Sequence, residues 1–184
     1  MKKILMIAAL AFLSTAAFAQ KFAHVNLTEV IQLMPEMDEA RKVMMASSKE
    51  TQETYQAMVD EFNSKYSTYQ QKAGTWTATI RESKEKELAD MQQRIQEFQQ
   101  SASQELDNQQ NQLMAPIQQK AIETINKIAK EGGYIYVFDA GAFIYKDDTQ
   151  STDLTPAARK ALNIPEGRTL ETLQAELQAQ QAAE

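Results

Sequence analysis

The strongest constraint on the fold is the near absence of helix-breaking residues between Pro35 and Gly132. Within that stretch the only other glycine is Gly74, and the only other proline is Pro116. Because glycine and proline interrupt helices more often than other residues do, the stretch predicts nearly continuous helix. Gly74 lies near its middle, so we expect two long helices joined by a turn at residues 74–77.

Apolar side chains recur at three- and four-residue spacing along both predicted helices. This spacing places them on one stripe of each helix, as in the seam of a coiled coil. The turn adds the only tryptophan, which either contacts a partner or caps the last helical turn locally. The candidate contacts with a bound polypeptide are Tyr55, Met58, Phe62, Tyr66, Tyr69, Trp76, Ile80, Leu88, Met91, Ile95 and Phe98.

The two prolines indicate where the helical arm meets the rest of the chain. In an antiparallel hairpin, facing residue numbers add up to about 151, since both helices rise ~1.5 Å per residue. Pro35 then faces Pro116, and we predict that these residues mark the arm–body junction. Pro35 would start the first helix, and Pro116 would bend the second. The arm, residues 35–116, would be about 60 Å long.

The seam is interrupted in the part of the arm nearer to its predicted base. Residues 47–54 contain no large apolar side chain, and residues 99–112 contain only Leu106 near the centre of that stretch. Little packing energy would resist a change in the angle between the helices there. We therefore expect a polar, weakly packed layer at which the arm can flex.

Short β segments flank the arm and predict a small body, residues 21–34 and 117–164. Ala23, Val25 and Leu27 alternate with polar residues, which indicates an edge or half-buried strand. The aromatic and β-branched run at 134–139 predicts a second strand. A tight turn at 139–141 would lead into a third strand at 142–145 and close a hairpin.

A short helix is expected to follow the predicted hairpin. Thr155 is read as its N-cap and Pro156 as its first residue, with the helix running to about Leu162. Leu170, Leu173 and Leu177 indicate another short amphipathic helix in the tail at 165–184. The sequence leaves open whether this tail packs on the body or is disordered.

Two or three strands of the predicted length are only marginally stable in one chain. Open edges and aromatic faces favour pairing with other chains, so we expect a symmetric oligomer whose strands close one shared sheet or barrel. The overall fold class is α+β, predominantly α. The candidates for the shared core are Val25, Leu27, Val30, Ile31, Ile135, Val137, Phe143 and Ile144.

The first residues have the pattern of a cleavable secretory signal peptide. Lys2 and Lys3 precede an apolar run that is shorter than a membrane span, and Ala17-Phe18-Ala19 is a cleavage site, so we predict cleavage after Ala19. Together with the absence of cysteine, this predicts export to a bacterial periplasm without a lipid anchor. The formal charge is −6, and removal of both lysines leaves about −8. Such a chain is a poor candidate for nucleic acid.

No constellation of catalytic or ligand-binding residues is recognisable in the sequence. His24 is the only histidine, and in an apolar strand it is interpreted as a hydrogen-bonded structural residue. Asp147, Asp148 and Asp153 lack the spacing of a calcium loop and are interpreted as solvated turn acids. We predict no enzyme activity, no cofactor and no metal.

Three segments resemble one known family, the Skp (OmpH-like) periplasmic chaperones. They are VNLTEVIQLMPE at 25–36, LMAPIQQKAIETINKIAKEGGYIYVFD at 113–139 and LTPAARKALN at 154–163. The resemblance extends from Phe22 to about Ile164, although the arms match in helical character alone. It implies a homotrimer with a β-barrel body and three helical arms around a cavity. It also implies ATP-independent protection of unfolded outer-membrane β-barrel proteins before their insertion.

The charge departs from the well-studied members of that family, which are basic. Lys65, Lys72, Arg81, Lys84, Lys86 and Arg94 are interleaved with acids, so the resemblance is not extended to lipopolysaccharide binding. Contact with a membrane surface is likewise not favoured by the acidic charge. The alternative function is that of a structural or adaptor coiled coil of the cell envelope.

Overall fold

The computed structural model describes residues 21–182 and has an α+β fold dominated by two long helices, as predicted. The signal peptide and its cleavage site lie outside these residues. The elements in chain order are β1 (Lys21–Val25), α1 (Leu27–Leu33), α2 (Pro35–Lys72), a 3-10 turn (Ala73–Thr75), α3 (Ala78–Gly132), β2 (Tyr134–Asp139), a 3-10 turn (Ala140–Ala142), β3 (Ser151–Asp153), α4 (Thr155–Ala161) and α5 (Leu170–Ala182).

The described chain divides into two compact units. The arm unit comprises residues 34–119, and the body unit comprises residues 21–33 together with 120–182. The predicted arm, residues 35–116, falls within the first unit. Its assignment as a functional domain, with Pro35 and Pro116 at the junction, stays a prediction.

The two long helices begin and end close to the predicted positions. Helix α2 begins at Pro35, which confirms that this proline occupies the first turn, where its missing N–H costs little. The chain reverses through the 3-10 turn around Gly74 and enters α3 at Ala78. Helix α3 continues through Pro116 as far as Gly132, and the bend expected at Pro116 stays a prediction.

The body unit contains a three-stranded parallel sheet, so the predicted antiparallel hairpin is wrong. The strand order is β2–β1–β3, and β1 pairs in parallel with both neighbours. The segment 142–145 forms no strand, because Asp139 ends β2 by capping the following turn. Its carboxylate accepts hydrogen bonds from the backbone N–H groups of Gly141 and Leu27, each at 3.3 Å. The third strand instead comes from residues 151–153.

The first strand was also misplaced by sequence reasoning. It is the central strand rather than an edge, and its last three residues, 23–25, are all buried. It stops at Val25, whereas Leu27 already belongs to α1. The cause is a side-chain N-cap: Asn26 Oδ1 accepts from Glu29 N at 3.0 Å, and Asn26 Nδ2 donates to Glu29 Oε2 at 3.3 Å.

Helix α4 occupies the predicted position, but Thr155 is not its N-cap. Leu154 holds the cap position, and Asp153 accepts a hydrogen bond from Thr155 N at 2.8 Å. The Thr155 hydroxyl accepts from Asn26 N at 2.9 Å instead, which fixes α4 to the end of β1. The predicted local cap by Thr155 is therefore wrong, because its hydroxyl contacts a residue far away in the sequence.

The core of the body unit lies where α1 meets α4 and α5. Arg159 of α4 strengthens this junction by donating to Glu29 of α1 at 2.6 Å. The tail helix α5 is formed, and its Leu173 is buried, which resolves the question that the sequence left open. The buried apolar residues of this unit are Ala23, Val25, Val30, Leu33, Ala121, Ile125, Leu154, Ala158, Leu162, Ile164 and Leu173.

Truncating Leu33 is expected to destabilise the body unit strongly. Its side chain is fully buried, so Leu33→Ala removes apolar contacts and leaves a cavity. The free energy of unfolding should fall by about 2–5 kcal/mol. Urea unfolding followed by circular dichroism at fixed protein concentration measures this change. Leu170→Ala is the matched control, because Leu170 is 38% exposed and should cost less than about 1 kcal/mol. Equal losses would contradict this account of the core.

Candidate binding surfaces

Contacts between the two helices of the arm unit establish their antiparallel register. Lys65 of α2 forms an ion pair with Glu87 of α3, and the Tyr69 hydroxyl donates to Glu85 of α3. In the predicted register, Lys65 would face residue 86 and Tyr69 would face residue 82. The observed partners, Glu87 and Glu85, lie within about one helical turn of these positions. The side chains therefore meet near the predicted positions.

The candidate contact residues of the arm unit differ widely in exposure. Met91 is 3% exposed and belongs to the seam, whereas Tyr66 and Ile80 are exposed. Phe62 stacks on Tyr66, with ring centroids 5.9 Å apart. Those of intermediate exposure are Tyr55, Met58, Phe62, Tyr69, Trp76, Leu88, Ile95 and Phe98. The hairpin thus shields each of these side chains only in part, and their role as client contacts stays a prediction.

Trp76 at the turn packs against the hairpin itself. Its ring lies 6.1 Å from that of Tyr69, at an interplanar angle of 57°. It is half-buried. This geometry favours the local cap among the two roles that the sequence left open, while contact with a client stays a prediction.

An ion-pair network that connects the two helices lies in the outer part of the hairpin. Glu87 accepts from Lys65 of the facing helix and from Lys84 of its own helix. Hydrogen bonds from Lys65 and then Lys84 lower the pKa of Glu87 from 4.5 to about 2. The same contact with Glu87, followed by that with Glu61, raises the pKa of Lys65. The Glu85 carboxylate likewise raises the pKa of Tyr69.

The polar interruption of the seam coincides with an opening between the helices. A solvent-open cavity of about 500 Å³ lies between residues 47–54 of α2 and residues 98–109 of α3. Its lining is Ser47, Glu50, Thr51, Thr54, Phe98, Ser101, Ala102, Glu105, Leu106 and Gln109. The opening lies where the sequence predicted a weakly packed layer, and its lining consists mainly of small polar side chains. The flexing of the arm at this level stays a prediction.

The body unit exposes a row of aromatic rings. Phe22 lies 6.3 Å from Tyr136, Tyr136 lies 5.8 Å from Phe138, and Phe138 lies 5.2 Å from Phe143, measured between ring centroids. Tyr136 is 59% exposed, and the other three rings are also exposed. Sequence reasoning proposed only Phe143 among them. The period-2 alternation of 134–139 could have identified Tyr136 and Phe138 as one face.

The proposed shared-core residues fall into two groups in the single chain. Val25 and Val30 are already buried within the body unit. Leu27, Ile31 and Val137 are half-buried, and the exposed group is Ile135, Phe143 and Ile144. The exposed group remains available to a partner chain, and its oligomeric role stays a prediction.

His24 is a buried, hydrogen-bonded residue in the centre of the sheet, in agreement with its interpretation as structural. It is 3% exposed. Its Nδ1 lies 2.8 Å from Ser151 Oγ, and its Nε2 accepts from Lys146 Nζ at 2.7 Å. Asp153 Oδ1 lies 3.9 Å from Nε2. These contacts tie the loop before β3 to the central strand.

The acids of that loop are engaged in turn and capping contacts. Asp147 Oδ1 accepts from the backbone N–H of Thr149 at 2.9 Å and from its hydroxyl at 2.7 Å, which lowers the pKa of Asp147. Asp148 pairs with Lys146 at 2.5 Å. Within residues 21–182, no cluster of acids and histidine has the arrangement of a metal site.

None of the helices within residues 21–182 combines the length and apolar character that a membrane crossing requires.

Two long helices and a small parallel sheet that exposes aromatic rings define an α+β protein. The chain matches the family described as outer membrane protein (OmpH-like) over residues 21–162. It therefore belongs to the OmpH-like family. The match includes both long helices, all three strands and α4, and helix α5 lies beyond it.

Two curated relatives carry the same descriptive name. The chain is 27% identical over 146 residues to the chaperone protein Skp of Yersinia enterocolitica, covering 77% of this chain and 85% of that protein. It is 29% identical over 153 residues to the chaperone protein Skp of Photorhabdus luminescens, covering 79% of this chain and 90% of that protein. Both relatives are named as chaperones, in agreement with the prediction that this chain is not an enzyme.

Loss of the Glu87 carboxylate should remove a pH-dependent contribution to stability. Because pairing lowers the pKa of Glu87 from 4.5 to about 2, its contribution is complete above pH 4.5 and is lost as the pH falls through about 2. Glu87→Gln should therefore lower the thermal unfolding midpoint at pH 6 and have little effect near pH 2. Scanning calorimetry at both values measures this, with the exposed Glu82→Gln as the control. A Glu87→Gln deficit that is the same at both pH values would contradict the assignment.

Proposed function

We propose that this protein is an ATP-independent holdase chaperone. It would enclose unfolded outer-membrane β-barrel proteins between helical arms and prevent their aggregation before insertion. Membership of the OmpH-like family and similarity to two proteins named as chaperones support this function. The predicted signal peptide supports a periplasmic location.

The observation that carries the proposal is the cavity of about 500 Å³ in the middle of the helical hairpin. A hairpin that is underpacked at this level can change its crossing angle at little energetic cost, because few apolar contacts are lost. Half-buried aromatic and methionine side chains lie between the cavity and the turn. Adaptable apolar surface of this kind suits a protein that binds many sequences weakly.

The chemistry of these surfaces indicates which class of client they would bind. A strand of an outer-membrane barrel alternates apolar and polar residues, and it aggregates when it is left unfolded in water. Many weak contacts along the hairpin would hold such a chain without selecting one sequence. Binding would then depend on exposed hydrophobicity and not on a single pocket.

A homotrimer would complete the proposed architecture. The sheet of one chain has three short strands, and β2 and β3 each pair only with β1 within residues 21–182. Their outer edges and the exposed aromatic row would become buried if three copies closed one barrel. One hairpin per chain would then surround the client.

A structural or adaptor coiled coil of the envelope is the second candidate. Such a protein needs a continuous apolar seam to hold two helices at one fixed angle. The cavity at residues 47–54 and 98–109 favours the chaperone over this alternative.

Suppression of aggregation tests the proposed function directly. A urea-unfolded outer-membrane barrel protein would be diluted into buffer without nucleotide and titrated with the chain of residues 20–184, while turbidity is recorded. Suppression should saturate at about three chains per client, as a trimeric holdase requires. Absence of suppression at any excess would overturn the chaperone assignment for this client class and favour the adaptor.

Replacing Phe62, Tyr66 and Tyr69 together by serine should weaken client protection, because apolar contact area near the turn is lost. The midpoint of the turbidity titration should move to several-fold higher protein concentration, while sedimentation should show an unchanged oligomer. The matched control replaces three exposed residues of the same helix by serine, Gln52, Asn63 and Gln70. Unchanged protection by the aromatic variant would show that these rings do not bind clients.

A further inference from the structure

We propose that the cavity of the arm unit binds the lysine and arginine side chains of client polypeptides through Glu50 and Glu105. This inference rests on the proposed chaperone function and adds a chemical preference to it. The site would select cationic segments that also carry apolar residues. The preference would result from the acidic residues that line the cavity.

The lining combines negative charge with an apolar surface. Glu50 comes from α2 and Glu105 from α3, so each helix contributes one acidic residue to the lining. Phe98, Ala102 and Leu106 supply the apolar part, and hydroxyl and amide groups complete it. Lysine and arginine are absent from this lining. The cavity therefore offers acceptors and apolar contact to a cation that arrives from outside.

The two carboxylates are not neutralised in the way that the acids of the outer hairpin are. Glu87 lies between Lys65 and Lys84, and Glu61 also pairs with Lys65. By contrast, neither Glu50 nor Glu105 forms an ion pair within the part of the chain that the structure describes. Their charge is thus available to a ligand.

The charge of the surrounding helix strengthens the preference. The stretches 47–54 and 98–109 contain four acids and a single base: Glu50, Glu53, Glu105, Asp107 and Lys49. The whole chain has a formal charge of −6. Acids on both walls of an open cleft raise the local concentration of cationic groups, an effect that salt screens over about 8–10 Å.

The size and polarity of the cavity fit long cationic side chains. Its volume of about 500 Å³ is sufficient for one or two of them. The methylene stem of lysine or arginine can lie on Leu106 and Ala102 while its charged end reaches a carboxylate. Phe98 adds an aromatic ring with which a cation can interact favourably. Because the cavity is open to solvent, the client backbone can remain outside while a side chain enters.

The test uses three unstructured peptides of about 20 residues that share one pattern of apolar residues. Their polar positions carry lysine, glutamine or glutamate. Fluorescence anisotropy would measure their binding to the chain of residues 20–184. We expect the lysine peptide to bind most tightly. The double substitution Glu50→Gln with Glu105→Gln should weaken it about three- to tenfold and leave the glutamine peptide unchanged.

A matched double variant separates the cavity from the general field. Glu53→Gln with Asp107→Asn removes the same charge from the same two helices, at exposed positions outside the lining. This control should change the affinity for the lysine peptide less than about twofold. Ala102→Leu provides an independent variant, since it fills the apolar part of the cavity and should also weaken lysine-peptide binding.

The outcomes distinguish this inference from the proposed function. Equal binding of the lysine and glutamine peptides, or equal effects of the two double variants, would overturn the cationic site. Protection of the unfolded barrel protein in the turbidity assay would nevertheless leave the chaperone function standing. Failure of the unsubstituted chain to protect that client would instead count against the chaperone function itself.

Discussion

The pairing of β1 with β2 is the constraint on which the rest of the chain depends. These strands are neighbours in one parallel sheet, although Val25 and Asp139, which face each other in the register, are separated by more than a hundred residues. The chain between them must therefore leave β1 and return to the start of β2. In this chain the connection consists of α2 (38 residues) and α3 (55 residues), which are joined by the turn around Gly74.

The end of β1 shows how that sheet is fixed by long-range hydrogen bonds. Asn26 caps α1 with its side chain, while its backbone N–H donates to Thr155 at 2.9 Å. Asp139 accepts from Leu27 N, and His24 contacts Ser151 and Lys146. Each of these polar groups connects the N-terminal segment with residues more than one hundred positions later. Because His24, Asn26, Asp139 and Thr155 are buried or half-buried, leaving any of them unpaired would carry a desolvation cost.

The hairpin is stabilised by different interactions from those of the sheet. Its helices are largely exposed, and the free energy of their packing is distributed over a discontinuous seam. Where aromatic residues and ion pairs such as Lys65–Glu87 are present, the helices are held together by side-chain contacts. Where serine, threonine and glutamine replace them, a cavity opens. The polar stretches that line this cavity would also provide the flexibility and the surface on which the proposed chaperone function depends.

Sequence reasoning succeeded where the determining interactions are local. The scarcity of glycine and proline predicted α2 and α3, Pro35 predicted a helix start, and the polar stretches predicted the weakly packed layer. The helical repeat spans only three to four residues, so it can be recognised in a single sequence. The N-cap at Asn26 is equally local, and the spacing between Asn26 and Glu29 could have predicted it.

The tertiary structure alone decided the sheet and the composition of its exposed face. A strand such as 134–139 has the same alternation whether it pairs in parallel or in antiparallel fashion, so the sequence could not exclude a hairpin. The choice was made by a partner strand at the other end of the chain and by the use of Asp139 as a cap. Similarly, only packing distinguished Val25 and Val30, which this chain buries itself, from Ile135 and Phe143, which it leaves exposed. Burial depends on which distant elements cover a residue, and that information is not contained in local sequence.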